Sequence, residues 1–174
     1  MRLAIAVAAA LAVASGSANA YYDCKTGSPG GSTNPKSHPE EVIQCQILGR
    51  AFCIAEEDRI AKHDVKYATD RAAEWMNDLG KTGSHAREDN RKLVAGIASY
   101  VYAREPMLPW TAYWSSVYSC GFNNRAPPAQ AGALRPKWDK ASAECTKKFP
   151  GAGDGSENQP LRDCLYDAMK SILK

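Results

Sequence analysis

Val42-Ile43-Gln44-Cys45-Gln46-Ile47-Leu48-Gly49-Arg50-Ala51-Phe52-Cys53-Ile54-Ala55 is apolar almost all the way round when wound at helical spacing. A helix on a protein surface shows one apolar stripe, whereas a helix without a polar face is surrounded by others. The stretch therefore predicts a central helix, and with it an all-α fold. Just upstream, Pro39-Glu40-Glu41 suits a helix start, with Pro in the first turn and two carboxylates near the positive end of the helix dipole. Downstream, Ile60, Val65, Ala68, Ala72, Trp75, Met76 and Leu79 continue the pattern as far as Gly80. Whether Lys62-His63-Asp64 divides this run into two helices stays open at this level.

Beyond a loop at 80–84, Leu93, Val94, Ile97 and Val101 mark an amphipathic helix that Pro106 and Pro109 close. Trp110, Tyr113, Trp114, Val117 and Tyr118 share one face of a short helix ending near Cys120-Gly121. Trp138, Ala141, Cys145 and Phe149 then face Leu161, Cys164, Leu165, Ala168, Ile172 and Leu173 across a loop at 150–158, the pattern of a helical hairpin. Alternating strand patterns are absent. The expected architecture is a single disulfide-braced bundle of about five or six helices. It divides into a signal peptide at 1–20, an irregular arm at 21–38, a bundle core at 39–122, a linker at 123–134 and a C-terminal hairpin at 135–174 packed on the bundle.

The first twenty residues read as an export signal: Met1-Arg2 is a positive start, an apolar run follows from Leu3, and Ala18-Asn19-Ala20 supplies small residues for cleavage. That run is well short of the roughly twenty residues that span a bilayer. The expected product is a soluble protein of the bacterial periplasm or the extracellular space. The chain carries 22 Lys and Arg against 19 Asp and Glu. The signal holds only Arg2 of these, so 21 against 19 remain after cleavage. Both signs are interleaved, as in Glu56-Glu57-Asp58-Arg59 and Arg87-Glu88-Asp89-Asn90-Arg91-Lys92, which predicts solvated helix faces and no nucleic-acid partner.

Six cysteines in an exported chain predict a disulfide framework. Zinc fails on spacing, because no Cys-x-x-Cys pair exists and His38, His63 and His85 are scattered. Cys45 and Cys53 lie about 12 Å apart along one helix, beyond the roughly 7 Å that a bridge spans, so they cannot bond each other. Cys145 and Cys164 face each other across the hairpin and should pair. The remaining four leave two arrangements open: Cys24 with Cys53 and Cys45 with Cys120, which we prefer, or Cys24 with Cys45 and Cys53 with Cys120. Either one ties the aromatic helix to the central helix.

Cys45-Gln46-Ile47-Leu48-Gly49-Arg50-Ala51, followed by Ala55, Arg59, 97–102 and Cys120, resembles small exported helical proteins of proteobacteria in which two cysteines bracket a helical bundle. The resemblance covers about half of the exported chain and leaves out the Cys24 arm and the C-terminal hairpin. It implies fold and compartment, not activity.

The sequence assigns no catalytic residue, no metal ligand and no cofactor. His63, Tyr67, Asp70 and Glu74 would share one face of an unbroken helix, yet one His and two carboxylates on an exposed face lack the concavity of a site. Glu56, Glu57 and Asp58 could include a glycosidase acid, which needs a partner carboxylate and an environment that raises its pKa. Ser84-His85 and Gly80-Lys81-Thr82 match no nucleophile elbow or phosphate loop. Tyr100, Tyr102, Trp110, Tyr113, Trp114, Tyr118 and Phe122 fall close together. Trp110, Tyr113 and Trp114 are the candidate interface, suited to a protein hot spot or to stacking on a glycan, with the 108–111 turn expected at the surface; the bland alternative is that the stripe is core. The function expected is binding of another protein outside the cytoplasm, as an inhibitor, immunity protein or adaptor, without catalysis and without membrane attachment. A cell-wall-active hydrolase using Glu56, Glu57 or Asp70 and a periplasmic chaperone are the alternatives.

Overall fold

Two helices pressed together at a glycine organise the molecule. The computed structural model describes residues 24–25, 45–79, 84–151 and 158–174. Among these it holds six helices and no strand: α1 (Gln46–Ile60), α2 (Val65–Leu79), α3 (Ser84–Ala103), α4 (Pro109–Arg125), α5 (Ala131–Lys148) and α6 (Gln159–Ile172). The fold is all-α. The signal at 1–20, all of the 21–38 arm except Cys24 and Lys25, and the helix start expected at Pro39 lie outside the described residues.

Helix α1 packs against α2, α3 and α4, and Ala51, Cys53, Ile54 and Ala55 are buried within it. Its burial is not complete, because Ile47 and Ile60 reach the surface. Against α4 the approach is close: a Cβ placed on Gly49 would stand 2.5 Å from Val117 Cγ2 and 2.9 Å from Tyr113 Cδ2. Cys45 at the start of α1 bonds Cys120 near the end of α4, and Arg50 lies over the rings of Trp110 and Tyr113 nearer the start of α4. The two helices therefore run antiparallel.

The open question at 62–64 resolves into two helices. Lys62 turns left-handed at φ 62°, its amide donates to Arg59 O, and the His63 amide donates to Asp58 O, which closes the end of α1. Asp64 then caps α2 by accepting from the Tyr67 amide at 2.7 Å.

The candidate interface residues Trp110, Tyr113 and Trp114 are core. Trp110 is 2% exposed, and Tyr113, Trp114, Tyr118 and Phe122 are buried with it. The reason is the position of α4, which packs on α1, α5 and α6 and so has little free face. Trp110, Tyr113 and Trp114 pack edge-to-face at 5.2 and 4.8 Å, and burial pushes the phenols of Tyr113 and Tyr118 up to about 12. The 108–111 turn is not a surface feature either: Pro109, Trp110 and Thr111 are buried, and Thr111 Oγ1 donates to Pro150 O at 2.7 Å.

The connection expected at 123–134 shrinks to 126–130, because α4 continues to Arg125 and α5 starts at Ala131. Pro136 lies in the second turn of α5, where it removes one intrahelical donor without ending the helix. Trp138 fastens α5 to α4, stacking on Phe122 at 4.9 Å and donating from Nε1 to Ser119 Oγ at 3.1 Å. Leu161, Leu165 and Met169 seat α6 in the core. Three disulfides brace the whole: Cys24–Cys53, Cys45–Cys120 and Cys145–Cys164, with Cα separations of 5.7 to 5.8 Å. Of the two arrangements open in the sequence, this is the first. Among the described residues no helix is long and apolar enough to cross a membrane.

Candidate functional site

A groove of about 690 Å³ is built by helical spacing on four elements among the described residues. Leu48 and Phe52, one turn apart on α1, form an apolar wall together with Met107. Tyr100 near the end of α3 and Arg104 just beyond it stand beside it. Ala112, Ser115, Ser116 and Ser119 of α4 make the floor. Arg135, Asp139, Ser142 and Thr146 line the opposite wall from one face of α5. Tyr100 is 61% exposed and meets Phe52 edge-on at 6.1 Å. The groove is thus apolar and aromatic at one end and lined with hydroxyls at the other.

Its polar groups are mostly tied to one another. Arg135 Nε donates to Asp139 Oδ1 at 2.7 Å and its Nη1 to Asn123 Oδ1 at 3.1 Å. Ser116 Oγ donates to α4 carbonyls, and the Ser115 and Ser142 hydroxyls lie 3.5 Å apart across the groove. Nucleophilic and acid–base catalysis need a nucleophile within about 3 Å of a base. Among the described lining residues there is no His, no free thiol, and no carboxylate besides the Arg135-bound Asp139. Hydroxyls that both donate and accept, set beside an exposed aromatic, suit recognition of a chain with backbone polar groups and apolar side chains.

Behind the apolar wall lies a buried charge cluster that overturns the reading of Glu56-Glu57-Asp58-Arg59 as a solvated face. Glu56 is 0% exposed and Asp58 is also buried. Arg104 Nη2 stands 2.7 Å from Glu56 Oε1, and Arg59 Nη1 is 4.0 Å from Glu56 Oε2. Arg59 donates to the carbonyls of Val101 and Arg104, covering the negative end of α3. Asp58 Oδ1 takes Arg71 at 2.8 Å and His63 Nδ1 at 3.1 Å, and Arg71 also pairs with Glu57. Burial raises the pKa of Glu56 above the ordinary carboxylate value in spite of Arg104 and Arg59, while burial lowers that of Arg104. Glu56 has the raised pKa of a general acid, yet it is sealed from solvent and absent from the groove lining.

The other candidates lie on α2 and in the turn before it. His63 packs on Tyr67 with ring centroids 4.1 Å apart, Asp70 pairs with Lys66 at 2.7 Å and with Arg91, and Glu74 pairs with Lys25 at 3.5 Å. Hydrogen bonds from Lys66 and then Arg91 hold the Asp70 carboxyl below its usual range. The break between α1 and α2 leaves His63 in the turn, so the four do not form one helix face. Ser84 and His85 begin α3 and do not lie in a loop. Among the described residues no cluster of three or more His, Cys, Asp or Glu could hold a metal. No protein-family model, curated protein or solved structure matches the chain, so the resemblance to exported helical proteins finds no support there.

Proposed function

We propose that this is an exported, disulfide-braced binding protein that receives a segment of another protein in the groove between α1, α4 and α5. One observation carries the reading: the groove combines an exposed aromatic, an apolar wall and a hydroxyl-lined floor, with no nucleophile set beside a base among its described residues. Three disulfides and the lack of a membrane-crossing helix among the described residues suit a soluble protein of the periplasm or the extracellular space. The bracing supports binding as well. Cys45–Cys120 locks α1 to the groove floor and Cys145–Cys164 stiffens the hairpin that carries the far wall, so the groove is preorganised and less ordering entropy is lost when it fills.

The test is capture from an envelope extract by the immobilised oxidised protein, run beside Ala143→Trp. Ala143 is exposed on the α5 wall, so the indole fills the groove without disturbing the core. A protein retained by the parent and lost with A143W supports the proposal. Equal capture by both, or no capture together with clearing of peptidoglycan in a gel assay, overturns it.

A further inference from the structure

Internal hydrogen bonds bias the groove's serine and threonine hydroxyls towards accepting. Each hydroxyl carries one hydrogen and two lone pairs. Ser116 is buried and commits its hydrogen to the carbonyls of Ala112 and Tyr113 within α4, at 2.8 and 2.9 Å, so towards the groove it can only accept. Thr146 does the same on α5, donating to Ala143 O at 3.0 Å. The contact between Ser115 and Ser142 uses one more hydrogen, whichever of the two donates. Only Ser119, which accepts from Trp138 Nε1 at 3.1 Å, and one of that pair keep a hydrogen to offer. The charges nearby are matched. Arg135 binds Asp139, and Arg104 binds Glu56 at 2.7 Å. In the cluster behind the wall, Glu57 and Asp58 share Arg71, and Arg59 stands 4.0 Å from Glu56. Four carboxylates therefore stand against four guanidinium groups. A carboxylate entering the groove would face lone pairs with no uncommitted cation, and a cationic side chain would lose its water with no uncommitted anion.

Charge complementarity thus calls for an occupant without charge, and the bonding of the hydroxyls for one that donates. Resting on the groove reading above, we infer that the segment the groove receives is uncharged and carries an amide donor, an Asn or Gln side chain meeting Ser116 and Thr146 while apolar neighbours meet Leu48, Phe52 and Met107.

The experiment pans a phage-displayed random dodecapeptide library on the oxidised protein and keeps peptides whose binding A143W abolishes. The enriched sequences should carry Asn or Gln beside Leu, Ile, Phe or Met, with Asp, Glu, Lys and Arg rarer than in the unselected library. Affinities of the synthetic peptides are then measured by fluorescence anisotropy. Changing the peptide's Asn to Asp, or its Gln to Glu, exchanges a donor for an anion at constant shape and should weaken binding to the parent protein at least about tenfold. S116A/T146V removes two acceptors from the groove and should weaken binding about fivefold to tenfold. That loss should shrink to less than about twofold for a peptide whose Asn or Gln is replaced by Leu or Met. A merely structural effect of the two substitutions would fall equally on both peptides. Enriched peptides that are charged or lack Asn and Gln, an amide-to-acid exchange that leaves affinity unchanged, or equal losses for both peptides overturn this inference and leave the groove reading standing. Failure to enrich any peptide that A143W blocks overturns both.

Discussion

Replacing Gly49 by Ala should destabilise the protein although Ala is the better helix former. The new Cβ would sit 2.5 Å from Val117 Cγ2 and 2.9 Å from Tyr113 Cδ2, where carbon atoms ordinarily rest about 3.5–4.0 Å apart. Relief requires α1 and α4 to separate by about 1 Å. The Cys45–Cys120 bridge, one turn away, opposes that movement, and the Tyr113 ring is wedged between Trp110 and Trp114. Overpacking costs about 1–3 kcal/mol, an approach of 2.5 Å to a buried side chain belongs in the upper part of that range at about 2–3 kcal/mol, and helix propensity returns up to about 1 kcal/mol. The net expectation is a loss of about 1–2 kcal/mol, or about 3–6 °C in Tm for a chain of this size. Gly96 is the internal control: it lies within α3 with nothing within 4 Å of a built Cβ. Gly96→Ala should gain about 0.5–1 kcal/mol. Urea unfolding of the oxidised proteins, followed by circular dichroism, reads both. A neutral or stabilising Gly49→Ala, with Gly96→Ala behaving as expected, refutes the close packing of α1 on α4.

Three further expectations concern other parts of the molecule. Lys62 holds a left-handed conformation at φ 62° that glycine adopts freely, so Lys62→Gly should stabilise by about 0.5–1 kcal/mol in the same urea assay. Burial raises the folded-state pKa of Glu56, so the folded protein binds more protons than the unfolded chain, and this group's contribution to stability falls as pH rises from the ordinary value of 4.5 towards the folded one. The stability difference between Glu56→Gln and the parent should therefore shift in the variant's favour across that rise, and a difference flat with pH contradicts it. Removing the Cys145–Cys164 bridge, whose cysteines are 19 residues apart, as C145A/C164A should cost about 3 kcal/mol in the same urea assay.

Much of the fold was legible in the sequence because it rests on local periodicity. The apolar run around Cys45 and Cys53 marks the central helix, and the facing positions of Cys145 and Cys164 mark the hairpin. The charges behaved differently. Glu56 finds Arg104 and Asp58 finds Arg71 on other helices, so no local spacing separates this buried cluster from an ordinary solvated turn. Arg162 repeats the lesson: it is 2% exposed and lies 4.3 Å over the Trp114 ring, though it sits in the polar pattern of α6. The aromatic stripe of α4 was ambiguous for a related reason. An aromatic face reads the same whether it meets solvent, a partner or three neighbouring helices, and only packing decides. The groove was not legible at all. Its residues share helical spacing within each wall, yet nothing in the sequence brings Phe52, Tyr100, Ser115 and Ser142 together.

The central claim, that the α1/α4/α5 groove is a protein-binding surface, is tested most directly by site-specific photo-crosslinking in cells that export the protein. A photoreactive amino acid is placed at Ala143 in the groove or at Lys170 on the outer face of α6, both exposed. A discrete protein adduct is expected from position 143 and none from position 170. No adduct from 143, or the same adduct from both positions, would contradict it.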